Sequence, residues 1–195
     1  GKNGDFITSP EISQMFGELI GMWSAICWQQ LGSPSKINLV ELGPGRGTLL
    51  ADALRAAMEV PRYFNAIALH LIETSPVMVK RQQLSLSTFR KTCLWHEAFE
   101  DVPDGPFVLF ANEFLDALPM RQFVNASGEW YERLIGLDKS GTGLCWTAST
   151  CRPSSEFLVP SALKECEEGM IWEVSPVAQK IIASISSAIR ERRGS

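Results

Sequence analysis

The sequence has no long apolar run and few of the residues that bind metal ions. Its 195 residues contain no stretch of about eighteen apolar residues, the length that a membrane-spanning helix needs. There are two histidines and five cysteines, and no two cysteines have the C-x-x-C spacing of a zinc site. The pattern therefore predicts no membrane insertion and no metal. An odd number of cysteines without a framework spacing is typical of buried, reduced thiols in an intracellular protein.

Basic residues are also scarce compared with what a nucleic-acid-binding face requires. The 18 lysines and arginines are outnumbered by 22 aspartates and glutamates, which gives a net charge of −4. This balance argues against DNA as a partner. Hydrophobic residues make up 45% and charged residues 21% of the chain, which excludes disordered and fibrous classes. The length suits one domain, or one domain with an appendage.

Neither end of the sequence has the features of a natural terminus. The chain begins at Gly1 without an initiator methionine or a signal-peptide pattern. It ends at Ser195, shortly after an apolar-periodic segment. We therefore expect the sequence to be part of a longer chain.

Short apolar runs alternate with helical patterns over the first two thirds of the sequence. The apolar runs cover residues 37–42, 66–72, 92–95 and 107–111. The helical patterns cover residues 10–31, 47–58 and 75–86. This alternation predicts a mostly parallel sheet with flanking helices. In the first helix, the apolar residues at helical spacing predict the buried face; they are Ile12, Met15, Phe16, Leu19, Trp23, Ile26 and Cys27.

The pattern changes after residue 120. Residues 121–146 contain three alternating stretches separated by turns with glycine, which predict a small antiparallel meander. Residues 170–174 form a further strand candidate. The pair Ser175-Pro176 then opens the last helix, because serine is a favourable N-cap and proline a favourable first helical residue.

The most specific motif is the turn after the first predicted strand. Residues 41–47 read Glu-Leu-Gly-Pro-Gly-Arg-Gly. Glycines at alternate positions let the backbone pass close under a ligand, and the next helix offers free amides to an anionic group. Thr48 stands where the dinucleotide fingerprint requires glycine. The turn instead resembles the S-adenosylmethionine turn of class I methyltransferases, although a strand-to-helix turn can also collect glycines without binding a ligand.

Two acidic residues follow the next two strands. Glu73 ends the second strand, where a carboxylate can accept both ribose hydroxyls of an adenosine. Glu97 follows the third strand, where the adenine is expected, and can accept the exocyclic amine; a solvated loop carboxylate is an equal alternative. We interpret the neighbouring His96 as structural.

A third polar group follows the fourth strand. Asn112 and Glu113 are expected to project towards the cleft, because ligands bind beyond the carboxyl ends of parallel strands. Asp116 is three residues from Glu113 and shares its face if the chain turns helically. The two carboxylates could hold a guanidinium and accept its proton. The alternative is a helix start with an acid that complements the macrodipole.

With these residues assembled, the chain resembles the MidA-like family, which includes the mitochondrial arginine methyltransferase that assists complex I assembly. The resemblance lies in residues 4–13, 16–18, 40–49, 111–119 and 121–123. It implies a Rossmann-like class I fold and a methyltransferase that uses S-adenosylmethionine. It also implies an acceptor arginine on a subunit of NADH dehydrogenase, symmetrically dimethylated.

The resemblance also assigns residues. It places Gly43, Gly45 and Gly47 against the methionine moiety and Glu73 at the ribose, and it adds Ser9, Glu41 and Glu97 to the cofactor-binding set. Residues 5–11 are placed beside the cleft, and Asn112, Glu113 and Asp116 near the methyl acceptor. Family members continue with a strand bearing Asp-Tyr-Gly, which this sequence does not contain.

The sequence pattern and the resemblance together predict four segments. They are an N-terminal helical segment on the cofactor cleft (1–36), a Rossmann-like core (37–119), an antiparallel β insertion (120–150) and a return to the core by a strand and a helix (151–195).

Three other functions remain open from the sequence. They are methylation of a small molecule or RNA, a non-catalytic S-adenosylmethionine-binding assembly module, and a nicotinamide-dependent oxidoreductase, against which Thr48 argues. We expect a cytoplasmic location if the source is bacterial, which we favour, and the mitochondrial matrix if it is eukaryotic.

Overall fold

The computed structural model describes residues 12–149, 160 and 166–192. The chain divides into two compact units. One contains the residues up to Ala117 together with those from Lys180 onwards, and the other is Leu118–Gln179.

The first unit is built on a four-stranded parallel sheet. Its strands are β1 (Ile37–Leu42), β2 (Ile67–Ile72), β3 (Cys93–His96) and β4 (Phe107–Phe110), in the order β3-β2-β1-β4. β1 pairs with β2 on one side and with β4 on the other, in parallel throughout. The carboxyl ends of the strands therefore lie along one edge of the sheet, as the sequence predicted.

Five α-helices accompany the strands in the described residues. They are α1 (Gln14–Gln30), α2 (Thr48–Ala57), α3 (Pro61–Ala66), α4 (Pro76–Leu86) and α5 (Pro176–Arg192). The sequence did not predict α3, which is only six residues long. The predicted start of the first helix at residue 10 lies outside the described residues, but Ser13 is extended and precedes α1. The Ser175 hydroxyl caps α5 by accepting from the Ala178 N–H at 3.2 Å.

The buried face of α1 differs from the one predicted. Of the predicted residues Cys27 is buried and Phe16 packs half-buried against the core, whereas Ile12 is 72% and Met15 66% exposed. The face that is buried carries mostly small residues: Gly17, Gly21, Ser24, Ala25, Cys27 and Trp28. A Cβ on Gly21 would lie 2.2 Å from the backbone oxygen of Ala53 in α2. The two helix backbones thus approach too closely for large side chains on this face.

The core of the first unit lies on both faces of the parallel sheet. Successive residues of β1 point to opposite faces, so Leu39 joins one apolar cluster and Val40 the other. The first cluster includes α1 and α2 through Trp28 and Leu50. The second includes Ala188 of α5. The first unit is therefore a three-layer α/β structure.

The second unit contains a separate antiparallel sheet. Its strands are β5 (Arg121–Ala126), β6 (Glu129–Leu137), β7 (Leu144–Ala148) and β8 (Ile171–Val174), in the order β7-β6-β5-β8. The predicted meander is confirmed by β5, β6 and β7. β8 was expected in the parallel core, but it pairs with β5 in this sheet. There Trp172 stacks on Phe123 with ring centroids 5.2 Å apart, and this apolar contact accounts for its position. The four-segment division otherwise remains a prediction.

The cysteines depart in part from the expectation of burial. Cys27 is buried, Cys93 and Cys166 are half-buried, and Cys145 is exposed; all four are free thiols. Cys145 lies on the edge strand β7, where the side chains are solvated. None of the helices in the described part of the chain is long and apolar enough to cross a membrane.

Candidate cofactor site

The glycine turn joins β1 to α2 at the carboxyl edge of the parallel sheet. Gly43, Gly45 and Gly47 have φ values of 62°, 53° and 78°, a region that residues with a Cβ rarely adopt. The Gly47 N–H donates to the carbonyl of Pro44 at 2.8 Å, and Gly47 itself precedes the first residue of α2. The glycines thus provide the tight turn that the sequence predicted.

A close contact is a second reason why position 43 needs a residue without a Cβ. A Cβ at this position would lie 2.6 Å from Cδ2 of Phe114. Phe114 belongs to the segment after β4, so this segment packs directly against the glycine turn. Phe114 was not recognised as a site residue from the sequence, where an aromatic after a strand carries no specific signal.

Glu73 follows β2 and has its carboxylate held on both oxygens. The Ser75 N–H donates to Oε1 at 2.8 Å, and the Gln82 Nε2 donates to Oε2 at 3.1 Å. The carboxylate is half-buried. Each oxygen has two lone-pair sites, so each can still accept a hydrogen bond from a ligand hydroxyl.

An apolar cavity of about 110 Å³ lies next to the ends of β1 and β2. It is lined by Leu42, Ile72, Glu97, Ala98, Phe99, Glu100, Phe114 and Ile181. Glu97 is exposed on its wall, and its role at the adenine remains a prediction. Beside it, a hydrogen bond involving Ser184 lowers the pKa of Glu100, and so this carboxyl is ionised near neutral pH.

Glu41 lies inside the sheet, one residue before the end of β1. Its side chain is buried, and Oε2 has no hydrogen-bond partner among the described residues. Burial raises the pKa of Glu41 to about 8, because a charged carboxylate is poorly solvated in the interior. The group is therefore predominantly protonated at pH 7.

His96 is paired with a second histidine. His70 Nδ1 and His96 Nε2 are 2.9 Å apart, and the rings stack with centroids at 5.1 Å. Burial, and to a lesser degree the neighbouring His96, lowers the pKa of His70 to about 4. The two ring nitrogens lie at hydrogen-bond distance, and the structural role of His96 remains a prediction.

The three proposed catalytic residues follow β4. Asn112 is half-buried, whereas Glu113 and Asp116 are exposed. Glu113 has a φ of 52°, and Asp116 lies in a 3₁₀ turn at Leu115–Ala117 rather than in an α-helix. Their catalytic role remains a prediction. Ser9, predicted to bind the cofactor, lies outside the described residues. Within the described ranges, no cluster of three or more His, Cys, Asp or Glu side chains could hold a metal ion.

The fold and this edge of the sheet define a nucleotide-binding α/β protein of the class I methyltransferase type. Strand order, glycine turn and the acidic end of β2 all have the arrangement of that class. The chain belongs to the family described as "Putative S-adenosyl-L-methionine-dependent methyltransferase", whose sequence model matches residues 19–195. The resemblance found in the sequence is thereby confirmed.

Curated proteins that are similar in sequence to this chain are named as arginine methyltransferases. The protein arginine methyltransferase NDUFAF7 homolog of Caenorhabditis elegans is 36% identical over 97% of this chain and 48% of its own length. NDUFAF7 of Danio rerio is 37% identical over the whole of this chain and 50% of its own length. The chain thus spans about half the length of these curated relatives. Both are named as mitochondrial, and the expected bacterial source finds no support in them.

A solved structure has the same fold. A Burkholderia thailandensis protein crystallised with S-adenosyl-homocysteine superposes with a TM-score of 0.73 at 22% identity, over 95% of this chain and 46% of its own. The predicted α/β class is therefore confirmed.

Proposed function

We propose that this chain binds S-adenosylmethionine at the carboxyl edge of its parallel sheet, as the cofactor-binding part of a protein arginine methyltransferase. One observation carries the proposal. The glycine turn, the oriented Glu73 carboxylate and the cavity bordered by Glu97 follow β1, β2 and β3 along a single edge of the sheet. This is the order of contacts that an extended adenosine-containing ligand needs.

The residues present fit such a cofactor. The turn exposes backbone without Cβ atoms at Gly43, Gly45 and Gly47, and this suits the methionine moiety. The Glu73 carboxylate can accept the ribose hydroxyls, and Glu97 can accept the exocyclic amine of an adenine in the apolar cavity. In the part of the chain that the structure describes, no atom lies within 4 Å of a Cβ added at Gly45, so these residues leave the turn open there.

The same edge suggests how an acceptor would be handled. S-adenosylmethionine supplies an electrophilic methyl group when bound. An arginine guanidinium has a pKa above about 12 and is a poor nucleophile while protonated. Glu113 or Asp116 would hold it bidentately and accept its proton as the new N–C bond forms, and Asn112 would help to orient it. Alignment in a closed cleft can supply about 7–11 kcal/mol.

The names of the relatives support the acceptor class. Arginine methylation is stated of NDUFAF7 and its homologues, and we extend it to this chain, which matches about half of their length. We further propose an NADH dehydrogenase subunit as the substrate, symmetric dimethylation as the product and the mitochondrial matrix as the location.

The cofactor proposal is tested by titration calorimetry with S-adenosylhomocysteine and with NAD. We expect S-adenosylhomocysteine to bind and NAD not to bind. Glu73→Gln should weaken binding by about 10–100-fold, because hydrogen bonds to a charged group contribute about 1.5–3 kcal/mol. The exposed Glu59→Gln in the loop after α2 is the matched control and should bind normally. Binding of NAD alone would refute the proposal.

The catalytic proposal needs a second measurement. Transfer of a radiolabelled methyl group to arginine should be followed in a mitochondrial extract that contains NADH dehydrogenase. Glu113→Gln should abolish most transfer and leave S-adenosylhomocysteine binding unchanged. Full transfer by this variant would remove the role of Glu113. Binding by the unaltered chain without any transfer would favour a non-catalytic module, and transfer to RNA or a small molecule would change the acceptor class.

A further inference from the structure

A buried glutamine connects the glycine turn to the acid at the end of β2. Gln82 of α4 is fully buried. Its Nε2 donates to the carbonyl of Gly45 at 2.8 Å and to Oε2 of Glu73 at 3.1 Å. Both N–H groups of the amide are therefore used, one on each side of the candidate site.

The orientation of this amide is fixed by a tryptophan. Trp95 Nε1, which lies on β3, donates to Gln82 Oε1 at 2.7 Å. An indole nitrogen can only donate, so the oxygen of the amide must face Trp95 and its nitrogen must face the site. A flipped amide would place two donors against each other and would turn its oxygen towards the Glu73 carboxylate.

The helix backbone also contacts the turn. A Cβ added at Gly47 would lie 3.5 Å from Cα of Gln82, so α4 packs directly against the glycine that precedes α2. The position of Gln82 relative to the turn is thus set by backbone packing as well as by hydrogen bonds. A rigid support of this kind lowers the entropic cost of ordering the site when a ligand binds.

We infer that Gln82 is a positioning residue, which holds the Glu73 carboxylate at a fixed distance from the glycine turn and thereby sets the selectivity for a ligand with ribose hydroxyls. This inference rests on the proposed cofactor function. Gln82 does not need to touch the ligand, since it acts through Glu73 and Gly45. Without it, the one orienting partner that Glu73 keeps among the described residues is the Ser75 N–H.

The test compares two ligands in titration calorimetry on the full chain. The first is S-adenosylhomocysteine, and the second is its 2′,3′-dideoxy analogue, which lacks the ribose hydroxyls. Gln82→Met keeps the approximate size of the side chain and removes its hydrogen bonds. We expect about tenfold weaker binding of the first ligand and a clearly smaller loss of affinity for the second. Both ligands use the turn at Gly45, but only the first depends on the oriented carboxylate.

Controls separate this role from general loosening of the fold. Gln83→Met makes the same substitution at the exposed neighbouring position and should change neither affinity. Trp95→Phe removes the indole donor and part of the ring while it keeps an aromatic side chain at this position. It should reduce the ratio of the two affinities in the same direction, by a smaller factor. If Gln82→Met does not fold, as judged by circular dichroism, Trp95→Phe decides the question.

Each outcome has one meaning. A reduced ratio of the two affinities supports the inference. Equal weakening of both ligands, or no change in either, overturns it while the proposed cofactor function stands. Failure of the unaltered chain to bind S-adenosylhomocysteine would overturn both.

Discussion

At the scale of single residues, Glu41 combines burial with an oxygen that has no hydrogen-bond partner among the described residues. It is a buried carboxyl in the middle strand of the sheet, and its Oε2 has no partner in the described part of the chain. An unsatisfied buried polar group destabilises the folded state. Retaining it is consistent with a role towards a ligand, which the resemblance assigned to this position.

The pKa of Glu41 predicts a pH dependence of stability. Its pKa is raised from 4.5 to about 8 in the folded state, so its contribution is fully present below pH 4.5 and is lost as the pH rises towards 8. The free energy of unfolding of the unaltered chain should therefore fall over this range relative to Glu41→Gln. The maximum slope of the difference is about 1.4 kcal/mol per pH unit. Urea unfolding at several pH values measures it.

The Glu41→Gln variant serves as the reference because the ionisation of His70 changes the free energy of unfolding with pH in the opposite direction. The pKa of His70 is lowered from 6.5 to about 4, so its contribution is lost as the pH falls through that window. Since His70 is present in both proteins, it cancels in the difference. If the free energies of unfolding of the two proteins changed in parallel with pH, the pKa of Glu41 would not be raised in the folded state.

The sequence could predict some of these residues and not others. The glycine turn and Glu73 were found because their chemistry depends on local spacing at strand ends. Gln82 was missed because its partners are distant in sequence, 37 positions away in the case of Gly45, and a polar helical residue usually faces solvent. One signal was available, since Gln82 and the buried Leu86 are separated by four residues and share a face of α4.

At the scale of elements, the packing of α1 on α2 depends on small side chains. A Cβ on Gly21 would lie 2.2 Å from the Ala53 backbone oxygen, and a backbone atom cannot rotate away as a side chain can. Gly21→Ala should therefore lower the free energy of unfolding by about 1–3 kcal/mol, although alanine is the better helix former by about 1 kcal/mol. Chemical denaturation monitored by circular dichroism provides the measurement.

The neighbouring residue offers a control on the opposite face. Met22 is 40% exposed, and Met22→Ala should change stability by no more than about 0.5 kcal/mol. If Gly21→Ala were as stable as the unaltered chain, the close approach of α1 and α2 would not exist in solution.

The same helix shows why an element can be predicted more reliably than its orientation. The spacing of apolar residues correctly indicated a helix, because periodicity depends only on the local backbone. It gave the wrong buried face, because the face is chosen by what the neighbouring helix admits. Large apolar residues such as Leu19 and Ile26 remain exposed, while glycines are buried. The strand β8 was misplaced for a similar reason, since its partner β5 is about 50 residues earlier in the chain.

At the scale of the whole molecule, the described candidate cofactor residues belong to one unit. Glu41, the glycine turn, Glu73 and Glu97 all precede Ala117, and the cavity is completed by Ile181 from the part of the chain that returns to the first unit. The second unit has its own apolar cluster around Phe123, Trp130 and Val174. If the cofactor binds at these residues, we expect its affinity to be independent of the apolar cluster of the antiparallel sheet.

This separation predicts different effects for two aromatic truncations. Trp130→Ala removes a buried side chain of the second unit and should destabilise that unit by about 3–5 kcal/mol, with the affinity for S-adenosylhomocysteine unchanged within about twofold. Phe99→Ala removes a similarly buried side chain, but one that lines the cavity, so it should weaken the affinity about tenfold or more. Thermal unfolding and titration calorimetry on both variants provide the two measurements. An equal loss of affinity in Trp130→Ala would mean that the integrity of the second unit affects cofactor binding.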